Sequence, residues 1–401
     1  MRDRDDLPVG YELVYANGSH FVLPQRAAKQ WRKHVERRTQ REVEALREQQ
    51  KASAKELEEG KKAAEPEPSL PAFPDEPPPR WHRVLPDFAA AIRSLSEDGV
   101  KARSPDREAR ERLVTIGQRL AALGPDREIG RPDGWKSALA DLEARMPNFR
   151  APVALVRNAL RLAEVTNTPT RIPPLLLLGP PGVGKTLFSQ RLAELMAVPH
   201  ATIAFDQPSA GSALRGADKF WSNSESGLLF QLVCLGAMAN PVILLDELDK
   251  SAGSSTKHDL DPLAQLHGAL ERQTARHIKD ISVDIEFDAS LVTYVATANS
   301  LHGIGMPLLS RFEIFSIAPP SGDDAIEVAR RLIDQVLHQL KLEDRISFDP
   351  KCAYVLARMS PRLMLRTVER LAAAALQDKQ RRVDVEQVWN ELEPADRPRL
   401  H

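Results

Sequence analysis

The architecture of this 401-residue chain can be predicted outward from one run, Gly179-Pro180-Pro181-Gly182-Val183-Gly184-Lys185-Thr186. It follows the apolar stretch Leu175–Leu178, which predicts a buried strand, and it precedes a helical stretch, Leu187–Met196. Glycines let backbone N–H groups curl around a phosphate, and the helix that follows directs its positive end to the same place. Lys185 can reach the outer phosphates and Thr186 can hold Mg²⁺. The run therefore predicts a site for ATP and Mg²⁺.

A second apolar stretch, Val242–Leu245, ends in the acids Asp246 and Glu247. Parallel α/β sheets place their ligands at the carboxyl ends of their strands, which is where these two acids fall. We expect Asp246 to hold Mg²⁺ through water and Glu247 to orient or deprotonate the attacking water. Asn299 follows a third stretch, Val292–Ala296, and is predicted to position that water.

Short apolar runs alternate with helical stretches over residues 147–320, a pattern typical of a parallel α/β sheet. The three strands named above contain almost only apolar residues, which predicts burial on both faces. Strand signals stop near Pro320. Residues 321–401 then form a predicted helical domain with helices over Ala325–Leu342, Lys351–Met359 and Arg362–Asp378.

The first 146 residues divide into three predicted regions. Residues 1–64 contain a hairpin around Asn17-Gly18, a pair suited to tight turns, and then a stretch rich in Arg, Lys and Glu. That stretch is predicted to be a solvated charged helix, with a coiled coil or docking arm as the alternatives. Residues 65–80 are Pro-rich and predict an extended linker, and residues 81–146 predict three helical segments.

Bulk composition gives little support to several kinds of partner. With 55 Lys+Arg against 56 Asp+Glu, the net charge is -1, so nothing global points to nucleic acid or acidic lipid. The two cysteines, Cys234 and Cys352, are far apart and in no metal-ligand spacing. No apolar stretch is long enough to cross a bilayer, so we expect a cytoplasmic protein with no membrane partner.

Together these motifs resemble the AAA+ module of Lon protease over residues 173–315. The residues that carry the resemblance are Leu244-Leu245-Asp246-Glu247-Leu248-Asp249-Lys250, Ala296-Thr297-Ala298-Asn299, the stretch from Leu266 through Phe287-Asp288 to Arg311, and Pro307-Leu308-Leu309-Ser310-Arg311-Phe312-Glu313. The resemblance implies that Arg311 is an arginine finger acting on ATP held by the neighbouring subunit. A weaker match at Ser360-Pro361-Arg362-Leu363 implies that Arg362 contacts nucleotide from a helical lid.

The same resemblance implies a five-stranded parallel sheet in the order 5-1-4-3-2 and a homo-oligomeric ring, a hexamer. The chain ends at His401, so we expect no counterpart of the Lon peptidase domain and no peptidase activity. The N-terminal third does not resemble the Lon substrate-binding region, so the choice of partner cannot be transferred.

One aromatic residue bears on what the ATPase would act upon. Trp221 aligns with the aromatic position of the Lon pore loop, which grips a translocating polypeptide, although Ser222 and Asn223 differ from the residues expected next. A Trp in the core is an equally good interpretation.

Three functions are compatible with the sequence. The favoured one is a protein remodeller or unfoldase that uses ATP, acting on a protein substrate or for a separate protease. A nucleotide-controlled assembly switch or scaffold is the second. The third is a DNA-linked ATPase of the clamp-loader kind, with basic residues between Arg26 and Arg47 as its contact; nucleic acid is not favoured.

Overall fold

A computed structural model describes residues 11–16, 19–24, 29, 77, 80–101, 107–207, 210–216, 225–253, 263 and 265–391. The predicted charged helix and Pro-rich linker lie outside these residues, apart from Lys29, Pro77 and Arg80. Trp221 also lies outside the described residues. Among the described helices, none combines the length and apolar character that a membrane span requires.

Thirteen short strands are found in the described residues. They are β1 (Tyr11–Ala16), β2 (Ser19–Pro24), β3 (Trp81–Arg83), β4 (Asp126–Glu128), β5 (Leu175–Leu178), β6 (His200–Ala204), β7 (Val242–Asp246), β8 (Ile278–Lys279), β9 (Glu286–Phe287), β10 (Thr293–Ala298), β11 (Glu313–Ser316), β12 (Ser347–Phe348) and β13 (Arg382–Val383).

The helices of the same residues are mostly short, and only a few exceed three turns. They are α1 (Phe88–Ser94), α2 (Glu97–Lys101), α3 (Arg107–Leu123), α4 (Trp135–Arg145), α5 (Arg150–Thr166), α6 (Lys185–Met196), α7 (Ala210–Arg215), α8 (Leu228–Val233), α9 (Leu266–Leu270), α10 (Arg272–Ala275), α11 (Met306–Leu309), α12 (Gly322–Leu340), α13 (Cys352–Leu356), α14 (Pro361–Gln377) and α15 (Val385–Asn390). Two 3-10 turns cover Pro147–Phe149 and Leu248–Gly253.

The central sheet has the strand order β1-β2-β6-β7-β10-β5-β11. Its five parallel strands, numbered along the chain from β5, lie in the order 5-1-4-3-2, which confirms the predicted sheet. The three strands predicted from apolar runs are β5, β7 and β10. The structure extends β7 to Asp246 and β10 to Ala298, so each strand ends one or two residues later than its apolar run.

Burial on both faces of the sheet divides the core into two clusters. Leu176, Ile243 and Leu245 belong to the cluster on one face, whereas Leu175 and Val242 belong to the cluster on the other. Successive side chains of a strand point to opposite faces, so a run of apolar residues supplies both clusters at once. The result is a sheet covered by helices on either side.

The predicted helical domain after Pro320 folds around its own core, a third cluster built mainly from α12, α13 and α14. Helix α14 begins with Pro361 at its first position, and the Ser360 hydroxyl accepts a hydrogen bond of 3.4 Å from Leu363 N. A Ser at the N-cap with Pro after it is a strong helix start. Two short strands, β12 and β13, pair within this domain and were not predicted.

The N-terminal region is packed more closely against the sheet than the sequence indicates. The hairpin pairs Ala16 with Ser19, as predicted, but its second strand also pairs with β6 through Val22 and His200. Residues 81–146 add the unpredicted strands β3 and β4 to their helices. Both sheet clusters run across the predicted boundary at residue 146, because Leu85 and Leu120 join one and Leu142 joins the other.

Candidate nucleotide site

The phosphate loop connects β5 to α6 and has the backbone that its glycines allow. Gly182 and Gly184 have φ angles of 83° and 103°, a region that disfavours any residue with a Cβ. Gly179 lies so close to the next strand that an added Cβ would sit 2.1 Å from the carbonyl oxygen of Ile317. Gly184 precedes α6 without a capping side chain, so the first N–H groups of the helix are left for an anion.

Lys185 lies inside this loop, with 9% of its surface exposed. Its Nζ donates hydrogen bonds to the carbonyl oxygens of Gly179 at 2.5 Å and Pro180 at 3.0 Å, and to Asn299 Oδ1 at 3.1 Å. Burial lowers the pKa of Lys185 below its ordinary value, although the nearby carboxylate of Asp246 opposes this. The predicted phosphate ligand Lys185 and the predicted water-positioning residue Asn299 are therefore in direct contact.

A buried threonine holds the two predicted acids in place. The Thr297 hydroxyl donates a short hydrogen bond to Asp246 Oδ1 and accepts one of 3.0 Å from the backbone N–H of Glu247. Thr297 is 2% exposed, at the carboxyl end of β10, beside the end of β7. Thr297 is not among the site residues that the sequence predicts. The signal that could have indicated it is a polar side chain within an otherwise buried strand, two residues before Asn299.

Glu247 has a backbone conformation that is unusual for a residue with a side chain. Its φ of 57° is left-handed, and such strain in a non-glycine residue is commonly found at functional sites. Its carboxylate lies 2.7 Å from Nζ of Lys250, three residues further on. The carboxylate that is predicted to act as the base therefore forms an ion pair with Lys250.

A third acid, Asp249, shapes the loop after β10. One of its carboxylate oxygens accepts hydrogen bonds from the backbone N–H groups of Asn299 at 3.1 Å and Ser300 at 3.2 Å. These contacts join the loop after β7 to the loop after β10, across 50 residues of sequence. The sequence predicts no role for Asp249 beyond its place in the Lon-like run, because this contact depends on two strands being neighbours.

The helical domain meets the phosphate loop at the start of α14. Arg362 N lies 3.4 Å from the carbonyl oxygen of Gly182, and a Cβ added to Gly182 would lie 3.2 Å from Cβ of Arg362. The Arg362 charge also contributes to the lowered pKa of Lys185. Arg362 is exposed and adjacent to the loop, as its predicted role requires.

Arg311 lies at the opposite end of the strands, just before the amino-terminal end of β11. It comes two residues before β11, whose first residue Glu313 is in register with Leu175, the first residue of β5. The phosphate loop begins only after β5 ends, about 10 Å further along at the usual rise per strand residue. The Arg311 guanidinium contacts Glu271 Oε2 at 3.2 Å and the carbonyl oxygen of Pro307. The structure therefore does not bring Arg311 together with the other predicted site residues of its own chain.

The residues at the carboxyl ends of β5, β7 and β10 suit a phosphate chain and a divalent cation. Free helix N–H groups, a glycine-bounded cradle and a buried lysine all favour multiply charged phosphate. Oxygen donors from Asp246 and Thr186 are of the kind that Mg²⁺ prefers when phosphates supply its other ligands. Lys185 Nζ lies within the loop that would hold the phosphates, against two of its carbonyl oxygens.

Comparison with known proteins gives one family and one group of relatives. Residues 175–320 match the model of the ATPase family associated with various cellular activities (AAA). The chain is 33% identical to Lon protease of Wolbachia pipientis over 229 residues, which are 53% of this chain and 27% of the relative. It is 30% identical to Lon protease of Mycoplasma mobile over 226 residues, 55% of this chain and 26% of the relative. The match thus spans about a quarter of the length of these relatives.

Solved structures give a more distant likeness. The Thermotoga maritima RuvB Holliday junction branch migration motor matches at 18% identity and a TM-score of 0.40, over 64% of this chain and 68% of that chain. A TM-score this low carries no argument about function. The family match covers the phosphate loop, both acids, Thr297, Asn299 and Arg311. Residues 175–320 of this chain thus match an ATPase domain of the AAA family, a family of ATP hydrolases.

Proposed function

We propose that this chain is a protein remodeller or unfoldase driven by ATP, and that it works as a homo-oligomeric ring, a hexamer. The observation that supports the ring is the location of Arg311 at the amino-terminal end of the strands, whereas the phosphate loop of the same chain follows the carboxyl end of β5. An arginine finger there can serve only ATP held by a neighbouring subunit. Heterologous contacts of this kind, repeated from subunit to subunit, form a ring when the rotation between neighbours closes, as we propose here.

In this proposal each residue of the nucleotide site has one task. Lys185 binds the outer phosphates, Glu247 takes the proton of the attacking water and Asn299 positions that water. Asp246 and Thr186 hold Mg²⁺, which neutralises charge on the phosphates when bound. Thr297 keeps the Asp246 carboxylate and the Glu247 backbone in register. Arg362 contacts nucleotide from the helical domain.

Glu247 must leave Lys250 before it can act as a base, because an ion pair at 2.7 Å occupies its carboxylate. Binding of nucleotide and of a neighbour's Arg311 would change the charge around Glu247 and favour that release. Within the chain, Glu247 pairs with Lys250 and Arg311 pairs with Glu271, and both pairs would have to separate for the proposed roles.

The relatives named above support the choice of substrate. They are Lon proteases, and the resemblance covers the ATPase module. The proposed substrate is an unfolded or partly folded polypeptide, handled for this chain's own purpose or for a separate protease. Trp221 is the proposed contact with that polypeptide.

The experiment that tests the ring mixes two inactive variants. Arg311→Ala keeps its phosphate loop, and Lys185→Ala keeps its finger. In a ring with random 1:1 mixing, about a quarter of the interfaces combine an intact loop with an intact finger. We expect ATP hydrolysis to return to a corresponding fraction of the wild-type rate. Mixed rings, verified by mass, that stay inactive would contradict action across the interface.

The substrate class is tested on the wild-type ring. Its ATPase rate is measured alone, with an unfolded protein such as casein, and with DNA at several salt concentrations. Stimulation by the unfolded protein, lost in Trp221→Ala with basal hydrolysis unchanged, is the expected result. No stimulation by either would favour the assembly switch, and stimulation by DNA with steep salt dependence would favour the clamp-loader alternative.

A further inference from the structure

An open cavity of about 350 Å³ lies at the amino-terminal edge of the sheet, opposite the nucleotide site. Part of its wall precedes β5 and includes Arg171, and another part precedes β10 and includes Asp288. Arg272 and Arg276, from helix α10 and its C-terminal end, complete the basic side. None of these residues belongs to the nucleotide site, and nothing in the ATPase mechanism uses them.

Three exposed arginines line this cavity. The side chains of Arg171, Arg272 and Arg276 make no ion pair or hydrogen bond with any residue in the described part of the chain. Burial, and then the charges of Arg272 and Arg276, lower the pKa of Arg171. All three guanidinium groups line the same cavity, and gathering like charges costs free energy unless an anion joins them.

Asp288, the carboxylate that lines the cavity, offsets only part of the charge of the three arginines. Asp288 is engaged by His82, whose Nε2 lies 3.1 Å from its Oδ2, and by the Ser290 backbone N–H at 2.8 Å. His277 lies 2.8 Å from Glu286, so that pair is satisfied by itself. Pro86, Pro169 and Leu291 form apolar wall between the charged groups. The cavity thus has three arginines in its wall and a volume that would hold only a small molecule.

We propose that this cavity is a second anion site, which binds a small molecule bearing a phosphate with two or more negative charges. Arginine pairs with phosphate oxygens through two parallel hydrogen bonds, and several arginines around one group favour multiply charged phosphates over single carboxylates. The volume lies in the range of small-molecule sites. Bare phosphates and the phosphate chain of a nucleotide share this chemistry, so both sources are tested.

The test uses the full chain with Lys185→Ala, which weakens the phosphate loop of every subunit. Inorganic pyrophosphate and, separately, ATP are titrated into this protein by calorimetry. We expect binding of one ligand per chain, weakened about tenfold or more by the added change Arg272→Gln, since a charge-assisted pair is lost. The control is Arg161→Gln, an exposed arginine of α5 with the same change of charge that does not line the cavity.

Tighter binding of ATP than of pyrophosphate would identify a nucleotide as the ligand, and equal binding would identify the phosphate alone; either supports the site. Absence of pyrophosphate and ATP binding to the Lys185→Ala protein would overturn it. So would binding that Arg272→Gln and Arg161→Gln weaken equally, or affinity for single-stranded DNA in place of the small phosphates.

A second measurement needs no ligand. Because the three guanidinium groups repel one another, Arg276→Gln in phosphate-free buffer should leave the melting temperature unchanged or raise it. Adding pyrophosphate should raise the melting temperature of the Lys185→Ala protein and have a smaller effect once Arg276 is replaced. A melting temperature lowered by Arg276→Gln without ligand would show that the arginine has a structural partner and would refute the proposal.

Discussion

Replacing Thr297 with Val tests whether one hydroxyl organises the hydrolytic acids. Valine has nearly the same shape, so the change removes the hydroxyl and little else. That hydroxyl donates to the Asp246 carboxylate and accepts from Glu247 N, and its residue is 2% exposed. The substitution therefore leaves one carboxylate oxygen and one backbone N–H without their partners.

The magnitude follows from these two bonds. A hydrogen bond to a charged group contributes roughly 1.5–3 kcal/mol, and a buried donor left unpaired costs roughly 1–3 kcal/mol. Water can reach the partly exposed acids, so we expect a net loss of about 2–4 kcal/mol in the free energy of unfolding. The carboxylate also loses its fixed orientation, and about 1.4 kcal/mol of transition-state stabilisation corresponds to a tenfold loss in kcat. A fall in kcat of about tenfold or more is expected.

The assay combines urea unfolding with steady-state ATP hydrolysis. Thr297→Ser is the positive control, because it keeps the hydroxyl and loses only a methyl group, for about 1 kcal/mol. Thr293→Val is the positional control, since Thr293 is equally buried at the other end of the same strand, away from the acids. If Thr297→Val hydrolyses ATP at the wild-type rate, the hydroxyl does not organise the site, and equal losses in Thr297→Val and Thr293→Val would also refute the reasoning.

Three further predictions concern single groups. Glu247→Gln should still bind ATP but hydrolyse it roughly 10²–10⁴-fold more slowly, because the base is lost while the phosphate cradle stays intact. Single-turnover rates measure this, and a wild-type rate would show that Glu247 is not the base. Lys250→Ala frees the Glu247 carboxylate from an exposed ion pair that adds little to stability, so basal hydrolysis should rise by at most about fivefold with little change in melting temperature. Hydrolysis at background would place Lys250 on the nucleotide. Burial raises the pKa of Asp280 to about 6 from 3.8, so the folded state favours its protonated form. Lowering the pH from 7.5 to 5 should therefore increase the free energy of unfolding of wild type, relative to Asp280→Asn, by about 1.4 kcal/mol in urea unfolding. A difference between the two proteins that does not change with pH would contradict this.

Local pattern was sufficient for much of the fold. Apolar runs of four or five residues predict β5, β7 and β10, because a strand buried on both faces needs apolar residues at every position. The phosphate loop is equally local, since Gly182 and Gly184 supply positive φ angles within eight residues. The predicted site residues at the carboxyl ends of β5, β7 and β10 meet because these parallel strands are neighbours in the sheet.

Weak patterns were insufficient where pairing is short or distant. The two-residue strands β12 and β13 carry too little periodicity to be recognised, and β2 joins β6 across more than 170 residues of sequence. Leu85, Leu120 and Leu142 precede the boundary predicted at residue 146 and bury their apolar surface against the sheet, a contact that no local pattern encodes.

The amino-acid sequence was enough to identify the groups that would hold phosphate and metal, because those groups act through residue type and short spacing along the chain. Only the tertiary structure decided which side chains restrain them. Thr297 between Asp246 and Glu247 depends on β7 and β10 being neighbours, and Glu271 against Arg311 depends on how a helix packs at the far edge of the sheet. Contacts between residues about 40 to 50 positions apart are set by strand order and packing, which no local spacing encodes.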